Sequence, residues 1–161
     1  MTNQEMTLQE ITKRGDALLD AGSYAAAVKT YDQALAHDAK HVHCLINKGF
    51  ALGNLGKNED ALKCYESALE IDRQDAVGWL NKGNALAGLD RHEEALACYD
   101  RALEIDSRLA RAWFNKGDEL GRQQRLIEAR ACFENAYALG LSEAQEMISR
   151  CEQILTNEYY G

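Results

Sequence analysis

The chain has 161 residues, 46% of them hydrophobic, with five cysteines, no proline and a formal net charge of −8. This length suits a single domain with a real core, and the acidic balance argues against nucleic acid and anionic membrane, which are recognised through basic patches. The polar opening from Met1 to Glu10 has no signal-like apolar run, no long uncharged apolar stretch follows, and the odd, unclustered cysteines fit a reducing compartment, so a soluble cytoplasmic protein with a protein partner is expected.

From residue 8 onward one pattern recurs. Gly15, Gly49, Gly83 and Gly117 stand 34 residues apart. Three residues after each comes a leucine (Leu18, Leu52, Leu86, Leu120), followed by an alanine (Ala27, Ala61, Ala95, Ala129), an aromatic (Tyr31, Tyr65, Tyr99, Phe133) and another alanine (Ala34, Ala68, Ala102, Ala136). Such spacings are helical, and breaks at Gly22, Gly56, Asp90 and Gln124 divide each copy into two amphipathic helices. In chain order the copies run 8–41, 42–75, 76–109 and 110–143 within one domain, 1–161. Glycine in the first helix and alanine in the second let antiparallel backbones approach, with Trp79, Trp113 and the aromatics filling the space between. Asp38, Asp72 and Asp106 are candidate turn or capping residues at the junctions.

A helix pair cannot bury its apolar face alone, so the pairs must stack and the stack needs a cap. Residues 142–155 provide one: Ser142 and Gln145 have capping-box spacing, and Ala144, Met147, Ile148, Cys151, Ile154 and Leu155 form a stripe. The tail from Thr156 to Gly161 reads as a frayed end. Cys64, Cys98 and Cys132 also share the 34-residue frame. Equivalent helices in a stack lie about 8–10 Å apart, beyond the roughly 7 Å a disulfide spans, so these cysteines are expected to be small apolar fillers.

The stretch HDAKHVHC, residues 37–44, resembles a metal site, since His37 and His41 have i, i+4 spacing. In the repeat frame it is a junction. His37 takes the place of Ile71 and Ile105, and Cys44 that of Gly78 and Ala112, which makes both inward-pointing core substitutions. A zinc module built on His41 and His43 is the lesser alternative. No Gly-rich phosphate loop, HExxH or GxSxG occurs, so neither an enzyme nor a bound cofactor is expected.

The frame of Trp, Gly, Ala, aromatic and Ala resembles the tetratricopeptide repeat family over the four copies. The resemblance implies an all-α architecture, a right-handed superhelical solenoid of antiparallel helix pairs, and a protein-interaction role. The chain departs from the family in two ways. Arg14, Lys48, Lys82 and Lys116 stand where a leucine is usual, and Ala39, Arg73, Ser107 and Leu141 stand where proline is usual. One family use is to grip a C-terminal carboxylate with Lys, Arg and Asn. Here the first clamp slots hold Thr12 and Asp16, or Ile46 and Phe50, and the later ones Val77 and Asn81, or Arg111 and Asn115, so the match is poor.

The first helices of such a stack line a concave face. Candidate peptide-binding residues there are His43, Ile46, Asn47, Phe50, Leu80, Asn81, Asn84, Arg111, Phe114 and Asn115. An asparagine offers both a donor and an acceptor, so a ladder of them suits a peptide main chain, with the apolar residues supplying pockets. A self-assembling homo-oligomeric scaffold is the alternative reading.

Overall fold

The computed structural model describes residues 6–160, with side chains to 157. Residues 1–5 and 161, part of the expected domain, lie outside the described residues. The described chain holds nine α-helices and no strand: α1 (Leu8–Asp20), α2 (Tyr24–His37), α3 (Val42–Asn54), α4 (Asn58–Ile71), α5 (Ala76–Ala87), α6 (His92–Ile105), α7 (Ala110–Arg122), α8 (Leu126–Ala138) and α9 (Ala144–Tyr160). None is long and apolar enough to cross a membrane.

Helices α1, α3, α5 and α7 end where the sequence breaks. Gly22 and Gly56 take φ of 69° and 73°, and Asp90 and Gln124 take φ of 58° and 61° without being glycine. Two backbone bonds close each end: Ser23, Lys57, Arg91 and Arg125 donate to Leu18, Leu52, Leu86 and Leu120 at 2.8–3.0 Å, and the residue before each donor bonds back three positions. The aspartates predicted at the junctions accept backbone N–H bonds there, Asp38 from Lys40, Asp72 from Gln74 and Asp106 from Arg108. They hold the turn that the missing proline would otherwise stiffen. The start of α1 has a full capping box between Thr7 and Glu10, which the sequence reading passed over.

Within each pair, the glycine backbone lies directly on the aromatic ring. A Cβ at Gly15, Gly49, Gly83 or Gly117 would stand 2.5, 2.7, 2.5 or 2.8 Å from a ring carbon of Tyr31, Tyr65, Tyr99 or Phe133. These rings and the alanines around them form the core. Trp79 and Trp113 pack against this core as half-buried residues, and their indole N–H groups donate to the carbonyls of Arg73 and Ser107 at the inter-repeat junctions.

The lysines that replace the family's leucine tie one repeat to the one before it. Lys48 reaches Asp32 at 2.6 Å, Lys82 reaches Glu66 at 3.3 Å and Lys116 reaches Asp100 at 2.6 Å. The Lys82 and Lys116 ammoniums also lie 5.6 and 5.7 Å from the centroids of Trp79 and Trp113. Arg14, in the first of the described helix pairs, is exposed. The cysteines are buried and free, as expected of fillers, and burial pushes the Cys98 thiol up to about 11.

Three expectations need correction. His37 is exposed, and at the same frame position Ile71 is 44% exposed and Ile105 half-buried, so the position does not belong to the core; Cys44 is fully buried. The capping box at Ser142 does not form: Gln145 donates to the Ser142 carbonyl at 3.2 Å and the helix begins at Ala144. The expected fray from Thr156 is instead a continuation of α9 to Tyr160.

Consecutive helices pack antiparallel, and the odd helices also meet one another, α1 with α3, α3 with α5 and α5 with α7. The stack therefore curves with its odd helices inside. The cap α9 docks on α8, and its approach to α7 is looser than that of the other odd pairs.

Candidate binding face

One position on each odd helix points from the concave face toward the core aromatic of the same repeat. It is Asp16, Phe50, Asn84 or Asp118, and the aromatic comes fifteen residues later, as Tyr31, Tyr65, Tyr99 or Phe133. What occupies the two positions decides whether a repeat satisfies itself.

In the first and third repeats it does. The Tyr31 hydroxyl donates to Asp16 Oδ1 at 2.7 Å, and the same oxygen receives His43 Nε2 at 2.9 Å and Asn47 Nδ2 at 3.1 Å. Burial pushes the Asp16 carboxyl up, but these three donors outweigh it and hold the group below the ordinary aspartate value. Burial and the neighbouring Asp16 carboxylate push the Tyr31 hydroxyl well up, so it stays a donor. In the third repeat Tyr99 donates to Asn84 Oδ1 at 3.0 Å, and Asn115 Nδ2 donates to the same oxygen at 2.6 Å.

In the second and fourth repeats the pairing fails, in opposite senses. Phe50 gives Tyr65 nothing to donate to, and the Tyr65 hydroxyl has no protein hydrogen bond among the described residues. Phe133 gives Asp118 no hydroxyl to receive. Burial pushes the Asp118 carboxyl up, Arg122 pulls it down and Glu119 and Glu143 push it up again, leaving it above the ordinary value.

A cavity opens at each of these two repeats. The one between α3 and α5 has about 240 Å³ and is lined by Phe50, Gly53, Asn54, Asn58, Tyr65, Asn81, Asn84 and Ala85. The other, of about 400 Å³, lies between α7, α8 and α9. Both depend on a glycine with open space beside it: Gly53 and Gly121 occupy the frame position that Leu19 and Ala87 fill in the closed repeats.

The sequence-predicted residues divide accordingly. Phe50 is 43% exposed at the first cavity, and Asn81 and Asn84 line it. Asn81 makes no hydrogen bond within the described chain, whereas Asn47 is held by Asp16 and Asn115 by Asn84. Ile46 and Leu80 are core residues, 8% and 7% exposed, and offer a ligand little surface. Phe114 is half-buried edge-on to Phe133 at 5.3 Å, with the Arg111 guanidinium 5.8 Å from its centroid. Arg111 itself pairs with Glu143. His43 serves Asp16, and the Nδ1 of His41 accepts the Cys44 N–H at the start of α3. Among the described residues no three His, Cys, Asp or Glu side chains converge as a metal site.

Sequence reasoning missed Tyr65 and Glu119. Tyr65 could have been found by setting the two frame positions side by side. Glu119, 5% exposed where the other repeats have Ala17, Ala51 and Ala85, pairs with His92 Nδ1 at 2.7 Å, itself a frame substitution.

The fold has many solved counterparts. A thermophilic TPR protein of Thermus thermophilus superposes with a TM-score of 0.81 at 19% identity, over 92% of this chain and 83% of that one. MamA from Desulfovibrio magneticus RS-1 gives 0.77 at 22% identity, over 84% and 77%. The first TPR of Spaghetti (RPAP3), solved bound to the HSP90 peptide SRMEEVD, gives 0.70 at 20% identity, over 73% and 93%. No curated protein matches by sequence. Tetratricopeptide repeat families match residues 12–49, 43–75, 76–109 and 110–139, a nearly continuous run through all four helix pairs, and the chain belongs to the tetratricopeptide repeat family.

Proposed function

We propose that the chain is a non-enzymatic protein-interaction module that receives a peptide segment of a partner along its concave face, with the middle cavity as the principal contact. Family membership supports the interaction role. The observation that carries the peptide reading is the middle cavity itself, where the Asn81 amide and the Tyr65 hydroxyl lack internal partners beside an exposed Phe50 ring. Buried or half-buried polar groups normally find a partner, and those that do not are open to a ligand or water. An amide and a hydroxyl each donate and accept, which matches the N–H and C=O of a peptide main chain. Phe50 adds an apolar anchor of the kind that dominates small interfaces.

His43, Asn47 and Asn115 contribute by fixing the odd helices that frame the cavity, and Arg111 and Phe114 form its C-terminal flank. An acidic peptide such as the one bound to RPAP3 is not the ligand proposed, because the clamp positions here hold Thr12, Asp16, Val77 and Asn81 in one register and Ile46, Phe50, Arg111 and Asn115 in the other. Peptides selected from a displayed random library should lose at least fivefold in affinity with Phe50→Ala and with Asn81→Ala, and be unaffected by Glu70→Ala on the exposed side of α4. Binders that followed Glu70 and ignored Asn81 would overturn the reading.

Self-assembly is a second reading, favoured by the apolar surface at the C-terminal end, where Ile127, Tyr137, Leu139 and Ile154 are 68%, 47%, 38% and 37% exposed. Light scattering over a range of concentrations tests it, and a monomer throughout would remove it.

A further inference from the structure

Tyr65 sits at the floor of the middle cavity. It is 3% exposed, yet its hydroxyl oxygen is not sealed off, so a group that enters the cavity can reach it. Tyr31 and Tyr99 donate to Asp16 and Asn84 of their own repeats. Phe50 holds that position in the second repeat, so an acceptor for Tyr65 has to come from outside the chain.

The polar groups around this hydroxyl are all neutral. Asn58 donates an Nδ2 N–H to the Gly88 carbonyl at 3.1 Å and Asn54 donates one to the Phe50 carbonyl at 2.9 Å, which leaves both Oδ1 atoms without a donor among the described residues. Asn84 is fixed the other way, its Oδ1 accepting from Tyr99 and Asn115. By burial, Asn58 and Asn81 form the walls between the Tyr65 floor and the exposed rim of Phe50, Asn54 and Asn84. No Asp, Glu, Lys or Arg lines the cavity. A charged side chain entering it would give up water without meeting a counter-ion, and an apolar one would leave Tyr65 and Asn58 unpaired.

We infer that the middle cavity receives a glutamine side chain of the partner segment, its carbonyl oxygen accepting from the Tyr65 hydroxyl, its NH2 group donating to Asn58 Oδ1 and its methylenes lying against Phe50 and Ala85. A carboxamide carries an acceptor and two donors on adjacent atoms, which matches a hydroxyl at the floor beside a carbonyl on the wall. The two methylenes of glutamine carry that head group below the rim, and asparagine is one methylene shorter. Open space beside Gly53 gives the stem its path, since a Cβ there meets nothing within 4 Å. Asn81 remains for the main chain that crosses above.

This slot presupposes that the concave face binds a peptide, and the two fail separately: Asn81 variants report on the groove, Tyr65 variants on the slot. The test is an NMR titration of the whole chain with Nα-acetyl-glutamine N-methylamide and, in parallel, its methionine counterpart, at concentrations up to tens of millimolar. Both probes are neutral and of similar length, so the net charge of −8 favours neither. The glutamine probe should move the Ala85 methyl and Asn58 side-chain amide signals saturably and bind about fivefold more tightly than methionine. Tyr65→Phe loses no internal bond and should keep the fold while removing most of that preference. Phe50→Asn should do the same by supplying the acceptor that Asn84 gives Tyr99, and Gly53→Leu should block both probes. Peptides selected from the displayed library should be enriched in glutamine at one position. Selected peptides that depend on Phe50 and Asn81 but show no such enrichment would keep the groove and overturn the slot. Equal affinity for the two probes, an unchanged preference in Tyr65→Phe, or no saturable shift at the cavity would overturn it as well.

Discussion

The first and third repeats are closed and the second and fourth are open, although all four share one backbone frame. In the closed pair, Tyr31 and Tyr99 spend their hydroxyls on Asp16 and Asn84, and the next odd helix adds Asn47 or Asn115 to the same oxygen. In the open pair, a phenylalanine has moved from one partner position to the other, leaving an idle hydroxyl at Tyr65 and an idle carboxylate at Asp118. The same two repeats have glycine where the closed ones have Leu19 and Ala87, and there the cavities open. Closed and open repeats therefore differ at three frame positions rather than in fold.

The largest effect that would break this contrast is steric. Gly83→Ala in a closed repeat puts a Cβ 2.5 Å from the Tyr99 ring and should destabilise the chain by about 3 kcal/mol. Gly121→Ala in an open repeat meets nothing and should stabilise it by about 1 kcal/mol through helix propensity. Urea denaturation midpoints that moved the same way in both would refute the distinction. Next come the hydroxyls. Tyr31→Phe and Tyr99→Phe should each cost about 1 kcal/mol, and Tyr65→Phe close to nothing, because Tyr65 has no bond to lose.

Smaller again is the left-handed residue before α8. Gln124 at φ 61° occupies the position of Gly22 and Gly56, and Gln124→Gly should raise stability by roughly 0.5 kcal/mol once the added chain entropy is counted. The smallest effect is electrostatic, and its sign separates the two aspartates. The Asp16 value is lowered by folding, so its contribution is present above the unfolded value and is lost as pH falls through the folded one. The Asp118 value is raised, so that group weakens the fold once pH exceeds the folded value and ceases to do so as pH falls below the unfolded one. At neutral pH, Asp16→Asn should lower the thermal midpoint and Asp118→Asn raise it slightly, with the two variants converging on wild type in acid.

Much of the fold was legible because repetition multiplies a weak helical signal. The four breaks at Gly22, Gly56, Asp90 and Gln124 all have positive φ, including the two that are not glycine. What misled was position at the end of an element. His37 read as core by analogy with Ile71 and Ile105, yet that position, in the last turn of the helix, is exposed at His37 and Ile71 and only half-buried at Ile105. The reach of α9 was obscured by its polar end, since a cap packed on one neighbour needs an apolar stripe only along part of its length. For the face, helical spacing placed Phe50 and Asn81 on the side where they line the middle cavity, but it could not show that Asn47 and Asn115 spend their amides on neighbouring helices. Those bonds join residues about thirty apart, and spacing along one helix is blind to them.

The asparagines give the most direct test of the claim that only the open repeats bind. With a peptide selected on the wild-type chain, isothermal calorimetry should show Asn81→Ala losing about tenfold in affinity, some 1.4 kcal/mol, while Asn47→Ala and Asn115→Ala lose no more than about twofold. Equal losses at all three positions, or a loss confined to Asn47 and Asn115, would contradict the division between closed and open repeats.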